Sequence, residues 1–514
     1  MWIAVVILAY LAAAFAVNTQ MHMFQLNTYD LGTHLRWLKK NRSAWVLPLI
    51  ALTLALLSFV TPVLAAILLL IWFAITIAVN FPRRRVKKPL VYTTRVIRML
   101  VTIGVVAAAF IVLTALAGES ARILTATVPY ILSPVWVIIA NWINTPIEYG
   151  VRQHYLNDAK RMLAAHPRLI TIGITGSYGK TSLKYYLATL LRGHFNVLMT
   201  PESYNTPMGI TKTIRGELRA THEVFVCEMG AEHIGEIAED CRLVNPTIGV
   251  ITAIGEQHLA SFGSQEAILQ TKMELAEAVR GKGMLYLNGD DPILAANQPD
   301  QERSLYGFNK EFSTYSCDIK VTKSGTSYGT SFTLFHRGKQ LRNLETGLIG
   351  THNIQNLTGA SAVALDLGVT EAELRTQLRK LAPAPHRLAI SRTGDVTILD
   401  DAYNSNPAGA KAALDTLAML EGTKILITPG MVQLGAREEE LNEAFGVQAA
   451  ICDHVFLVGE KQTQPIARGL LSTGYDPAQL TIVADVQQAI SAAYALNPGG
   501  PRVILLENDL PDNY

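Results

Sequence analysis

Cysteine is scarce. Four occur in 514 residues, Cys227, Cys241, Cys317 and Cys452, with no CxxC and no close spacing. That excludes a zinc ribbon or a disulfide framework and fits free thiols in a reducing compartment. Charge is scarce too: Asp, Glu, Lys and Arg together make 17% and the formal net charge is +2. No basic field exists to hold a nucleic acid, so none is expected as a partner. Internal repeats and low-complexity tracts are absent, which removes solenoids and tethering tails. The long apolar runs carry no Asp, Glu or Lys at their centres, whereas a transport path or proton relay usually needs one.

Apolar residues are abundant, at 49%, and mean hydropathy is +0.23. A soluble enzyme usually carries less. Residues 1–145 hold most of the excess. A bilayer core requires about 20 mostly apolar residues per helical span. Five runs approach that length, 2–17, 44–60, 62–80, 99–117 and 123–142. The first two are short, which leaves four as the alternative count. The first run lacks a basic leader and a small-residue cleavage site, and reads as an uncleaved anchor. Basic residues gather in two loops: Arg36, Lys39, Lys40 and Arg42, then Arg83, Arg84, Arg85, Lys87, Lys88, Arg95 and Arg98. The positive-inside rule puts both loops, and everything after residue 143, on the cytoplasmic side of a cell membrane. The lipid bilayer is thus an expected partner.

From about 168 the pattern changes to short apolar runs alternating with helical ones. Runs at 169–175, 196–200, 223–229, 247–253 and 283–288 read as buried strands, with helices beginning near Lys180, Ile234 and Ser264. That alternation predicts a mostly parallel sheet covered on both faces. Residues 312–350 alternate apolar and polar positions and predict antiparallel strands. A second α/β series, with strands at 397–400, 424–429, 454–459 and 502–507, follows the Pro-rich LAPAPHR at 381–387. The expected organisation is a polytopic α-helical membrane region over 1–145, an α/β P-loop domain over 165–382 and a Rossmann-like α/β domain over 386–514.

GITGSYGKTS (173–182) follows a predicted strand and opens a helix. Gly176 and Gly179 let backbone N–H groups face phosphate oxygens, and the helix adds its positive end. Lys180 can reach the β- and γ-phosphates, and the Thr181 hydroxyl can ligate magnesium. Thr175, Ser177 and Ser182 complete the turn. Ile174 stands where the general GxxxxGK[ST] pattern has its first glycine.

TGSYGKT, SYNTPMGI (203–210), CEMGAEHIGEI (227–237) and HLASFGSQEAILQTKMEL (258–275) occur in that order. GTHNIQNLTGASAVA (350–364), Arg387 and DDAYNSNPAGAKAAL (400–414) follow. Over about 168–460 the chain resembles the Mur ligase family, and within it the branch that adds a D-alanyl-D-alanine dipeptide. The resemblance implies an ATP- and Mg2+-dependent ligase that joins a cell-wall precursor to an amino acid or dipeptide through an acyl phosphate. It implies that Lys180 and Thr181 hold the triphosphate and its magnesium, with Glu228 and His258 as metal ligands. Lys272 matches a lysine that family members carry as a carbamate able to bind a second magnesium. Asn353, beside His352, falls where the family contacts adenine. Arg387 would touch the phosphates, Asp401, Tyr403 and Asn404 would line the nucleotide, and Asn205 lies in the loop that meets the acceptor. Lys180, His258, Lys272 and Arg387 are the residues expected to carry catalysis. Other cell-wall enzymes stand as further candidate partners.

Each residue also has a plain structural reading. Glu228 could cap a helix, His258 could be a surface residue, Lys272 a solvated lysine, Asp400 and Asp401 turn residues, and Tyr403 packing. Two departures from the pattern bear on substrates. About 26 residues between the last run and the first strand are too few for a separate UDP-sugar domain, since independent domains need about 50 or more. A lipid-linked acceptor is therefore expected. The ENDLPDNY end is acidic where the family has a basic KGSR-like segment, which leaves the amine open. Competing readings are a Mur-like enzyme making another conjugate, such as poly-glutamate, a transporter driven by the P-loop, and an inactive scaffold.

Overall fold

The computed structural model describes residues 2–80, 89–255, 259–324, 327–384, 386–402, 405–432, 434–460, 462–496 and 499–508. His258, Tyr403 and Asn404 lie outside the described residues, as do Arg83, Arg84, Arg85, Lys87 and Lys88. The chain divides into two compact units, the first ending at Gln153 and the second beginning at His154. The division falls inside the helix Ser133–Ala164.

The first unit is helical. Two helices are long and apolar enough to cross a membrane, Ile3–Leu26 and Thr94–Leu116. Two bent pairs raise the number to four if each is one span: Leu31–Lys40 with Ala44–Phe59, and Ala121–Ile131 with Ser133–Ala164. Pro62–Ala78 is apolar but shorter. Of the expected five or four spans, the described residues thus give two, or four if each bent pair is one. The run 123–142 shows why. It is bent by 67° between Ile131 and Ser133. Pro134 lacks an N–H and disfavours helical backbone at the residue before it, so a new helix starts there.

The second unit contains two sheets. Strands β1 (Ile170–Thr175), β2 (Val197–Met199), β3 (Val224–Glu228), β4 (Ile248–Ile251), β5 (Leu285–Asn288), β6 (Arg303–Gly307), β7 (Thr314–Ser324), β8 (Ser327–His336) and β9 (Lys339–Thr346) form the first. Their order is β2-β3-β1-β4-β5-β6-β7-β8-β9. Pairing is parallel up to β7 and antiparallel from β7 to β9. The alternating segment at 312–350 thus extends the parallel sheet. β1 sits between β3 and β4, where the strand order reverses, and in open α/β sheets that is where ligands bind. All five residues of β3 are buried, as expected of a strand covered on both faces.

Strands β10 (Ala389–Thr393), β11 (Val396–Asp401), β12 (Thr423–Thr428), β13 (His454–Val458), β14 (Leu480–Val483) and β15 (Arg502–Glu507) form the second sheet, in the order β10-β11-β15-β12-β13-β14. Only β10 is antiparallel to its neighbour. The four predicted strands are its centre. Its two edges were not anticipated, because β10 and β14 are short and half exposed.

Candidate functional site

β1 ends at Thr175, whose hydroxyl donates to the Met229 carbonyl at 3.0 Å. Gly176 follows at φ +145°, and a Cβ there would lie 2.1 Å from Thr252 Oγ1. Ser177 is tied to the turn after β4: its N–H donates to the Ala253 carbonyl at 2.7 Å, and its Oγ accepts from the Gly255 N–H at 2.9 Å. Gly179 has φ +80°, and a Cβ would meet Asn356 Oδ1 at 2.6 Å. Both positions favour glycine, and the turn between them leads into the helix Lys180–Leu191. Ser182 lies buried in that helix. This cradle suits a polyphosphate.

Lys180 folds back over the turn. Its Nζ donates to the carbonyls of Gly176 at 2.6 Å and Ser177 at 3.1 Å. Burial pushes its ammonium down to about 8; Glu228 opposes the shift and Arg387 adds to it. Arg387, from the linker between the two sheets, is therefore within electrostatic reach of the turn. Thr181 Oγ1 donates to Glu228 Oε1 at 3.1 Å, and Asn205 Nδ2 donates to the same oxygen at 3.1 Å. Asn205 is thus joined to the carboxylate at the end of β3.

Glu228 is 1% exposed. Its Oε2 accepts no hydrogen bond among the described residues, but Lys184 Nζ lies 3.0 Å away as an ion pair. A buried carboxylate oxygen with spare acceptor capacity, beside the Thr181 hydroxyl, fits a hard divalent cation once phosphate oxygens complete the shell. Among the described residues no three His, Cys, Asp or Glu side chains converge on one point. Any cation held here would draw on nucleotide oxygens.

Lys272, on the helix Gln265–Val279, is 3% exposed and lies over the Phe262 ring at 5.6 Å. Burial, reinforced by Lys180, pushes its ammonium down to about 7. The plain reading of a solvated lysine is set aside by that burial. Asn353 faces the core: its Oδ1 accepts from the Tyr186 hydroxyl at 2.7 Å and its Nδ2 donates to the Ile349 carbonyl at 2.8 Å. His352, beside it, has an Nδ1 without a partner among the described residues, and burial pushes its imidazole down to about 4.

On the second sheet, Asp401 Oδ1 accepts from the Leu388 N–H at 3.1 Å. Burial pushes its carboxyl up to about 6, against the pull of Arg387. Asp401 stands beside Glu507 in parallel register, and burial pushes Glu507 far above the ordinary range as well. Asp400 Oδ2 pairs with His386 Nδ1 at 2.8 Å.

Sequence reasoning missed Lys184, Asn356 and Glu507. Lys184 follows Lys180 by one helical turn, so position alone could have flagged it. Asn356 and Glu507 reach their places only through tertiary contacts.

A glycine turn that suits phosphate at the switch point of a mixed sheet, with a cation from the linker to a second α/β sheet in electrostatic reach, defines a protein of two α/β domains. Residues 174–364 match the family model described as the Mur ligase middle domain, and residues 386–506 that of the Mur ligase, glutamate ligase domain. The chain belongs to the Mur ligase family. It is 35% identical over 256 residues to the UDP-N-acetylmuramoyl-tripeptide--D-alanyl-D-alanine ligase of Mycobacterium tuberculosis, 49% of each chain. It is 31% identical over 373 residues to the protein of that name from Mycobacterium leprae, 64% of this chain and 69% of that one. The chain thus spans about half the length of the first relatives it matches. MurF from Thermotoga maritima, solved in complex with ADP, superposes with a TM-score of 0.61 at 23% identity, over 70% of this chain and 80% of that one. That likeness shows the fold.

Proposed function

We propose that this chain is an ATP-dependent, ADP-forming ligase that joins an amine to a carboxyl group of a peptidoglycan precursor, as its relatives are named to do. The observation that carries this reading is the meeting of Lys180, Thr181 and Glu228 at the ends of β1 and β3, with Lys272 and Arg387 in electrostatic reach. ATP with magnesium, when bound, supplies the phosphoryl group that turns a carboxylate into an acyl phosphate, whose phosphate an amine then displaces from the acyl carbon.

The chain's own residues supply the rest. Two anions must approach each other, so the site must mask negative charge. Lys180 is the cation at the phosphate turn and Arg387 brings a second from the linker. Thr181 and Glu228 would hold the magnesium, with His258 as a further ligand. A lysine neutral near pH 7 can take up carbon dioxide, and Lys272 as a carbamate would become an anion for a second magnesium. His352, with an Nδ1 that has no partner among the described residues, and Asn353 beside it would meet the base. Asp401, Tyr403 and Asn404 would line the nucleotide. Asn205 meets the acceptor. Closure of the second sheet over the turn would exclude water from the acyl phosphate.

The helical unit is read as a multi-pass anchor in the cell membrane, with the two sheets cytoplasmic. Large apolar side chains face outward along it: Val60 is 78%, Val105 66% and Leu116 78% exposed. Such a surface suits lipid. That anchor supports reading the acceptor as linked to a lipid rather than to UDP.

The test incubates the full chain with ATP, Mg2+, D-alanyl-D-alanine and either UDP-muramoyl-tripeptide or its undecaprenyl-linked form. Mass spectrometry reads the added residue. ADP released only when acid and amine are both present supports a ligase. Release without either sinks it, and preference for the UDP form ends the lipid-linked reading alone.

A further inference from the structure

Lys184 has no role in the function argued above, yet its side chain is 0% exposed. It shares a helix face with Lys180, one turn away. Its Nζ lies 3.0 Å from Glu228 Oε2 and donates its hydrogen bond to the Glu202 carbonyl. The Tyr185 ring lies 5.1 Å beneath it. Burying an ammonium is costly unless it is paired and hydrogen-bonded, and this one is both.

The Glu202 end is unusual. Glu202 has φ +42°, a left-handed backbone that a residue with a Cβ adopts only where its surroundings hold it. The same segment returns to Glu228 twice more. Thr200 Oγ1 accepts from the Glu228 N–H at 3.1 Å, and Asn205 Nδ2 donates to Glu228 Oε1 at 3.1 Å. The Asn205 carbonyl also accepts from the Gly230 N–H at 2.8 Å. Residues 200–205 therefore wrap the carboxylate, with Lys184 bridging its far oxygen to the strained turn.

We infer that Lys184 is a positioning residue that couples the 200–206 loop to the Glu228 carboxylate beneath the phosphate turn. This rests on the ligase reading only in taking the loop to meet the carboxyl substrate. A neutral side chain would fill the volume but leave only the Thr200 and Asn205 contacts to tie the loop to Glu228. The lysine makes them one unit, so ligands that draw on Glu228 change the order of the loop, and the loop changes their binding in return.

Hydrogen exchange on the full chain, with Mg2+ and ADP as probes, tests this without turnover. In the wild type, Mg2+ with ADP should alter exchange of the 200–206 amides. In Lys184→Met those amides should exchange about tenfold faster and ignore the probes, with ADP affinity kept within about threefold. Lys184→Arg should restore most of the protection. Glu202→Pro attacks the bridge from its other end, because proline cannot adopt positive φ, and should reproduce the Met variant's exchange with Lys184 in place. In ligation assays the Met variant should raise KM for the carboxyl substrate about tenfold and leave that for ATP nearly unchanged. Unchanged exchange at 200–206 in Lys184→Met overturns the inference, as does a loss of protection there no larger than that across both sheets, which breaking the buried pair would cause by itself. A chain that ligates nothing fails the ligase reading, and the exchange data still decide the coupling.

Discussion

Thr181 and Glu228, 47 residues apart, meet through a hydrogen bond of 3.1 Å from the threonine hydroxyl to the carboxylate. One opens the helix after β1 and the other closes β3. Parallel pairing of those strands, with Ile174 opposite Glu228, brings a hydroxyl from the phosphate turn onto a buried acid. The chemistry proposed for this chain is built around that contact.

Among the described residues Lys180 bonds only to carbonyls of its own turn, so truncating it should cost function far more than fold. Lys180→Ala should lower kcat by roughly 10²–10³-fold, the scale of losing one preorganised charge stabiliser. The melting temperature should move little. Ligation at the normal rate in that variant would remove the P-loop from the mechanism.

Glu228→Ala leaves Lys184 as an unpaired charge at 0% exposure. Breaking a buried pair in this way destabilises by about 3–5 kcal/mol. Thermal unfolding should show a large drop for Glu228→Ala and a smaller one when Lys184→Met is added, since the double variant strands no charge. Additive losses would show that the pair does not act as a unit.

Lys272 loses its proton near 7 in the folded chain and near 10.5 when unfolded. Between those values the unfolded state binds more protons, so stability rises with pH. In carbon dioxide-free buffer, Lys272→Met should flatten that rise, measured by denaturant unfolding from pH 7 to about 9. Bicarbonate should raise the ligation rate at pH 8, where the amine is neutral, and have little effect at pH 6. Equal effects at both would exclude a carbamate at this position.

The outward apolar side chains of the helical unit predict where the protein is found. After cell lysis the full chain should sediment with membranes and resist extraction by alkaline carbonate, as spanning helices do. Recovery in the soluble fraction would show that these helices pack against something other than lipid.

Much of the site was legible in the chain. The phosphate turn is a local device, because glycines, lysine and hydroxyl must follow one another in sequence to cradle a phosphate. Short-range order therefore revealed Thr175 to Ser182. The central strands were legible for a related reason: a strand covered on both faces must be continuously apolar, as β3 is. The edge strands β10 and β14 were not, since half-exposed strands need no such run. Helix breaks in the first unit were missed because hydropathy averages over a window and ignores where one proline removes an N–H.

By itself the sequence determined the phosphate turn, the two α/β series and their family, because each depends on neighbouring residues or on their order. Tertiary structure alone decided the electrostatics. Lys272 and Asp401 are ordinary ionisable residues in the sequence, and only burial moves one to about 7 and the other to about 6. Lys184 is one lysine of several until the fold removes water from around it and sets Glu228 3.0 Å away. Desolvation and charge proximity depend on distances through space, which the order of residues along a chain does not contain.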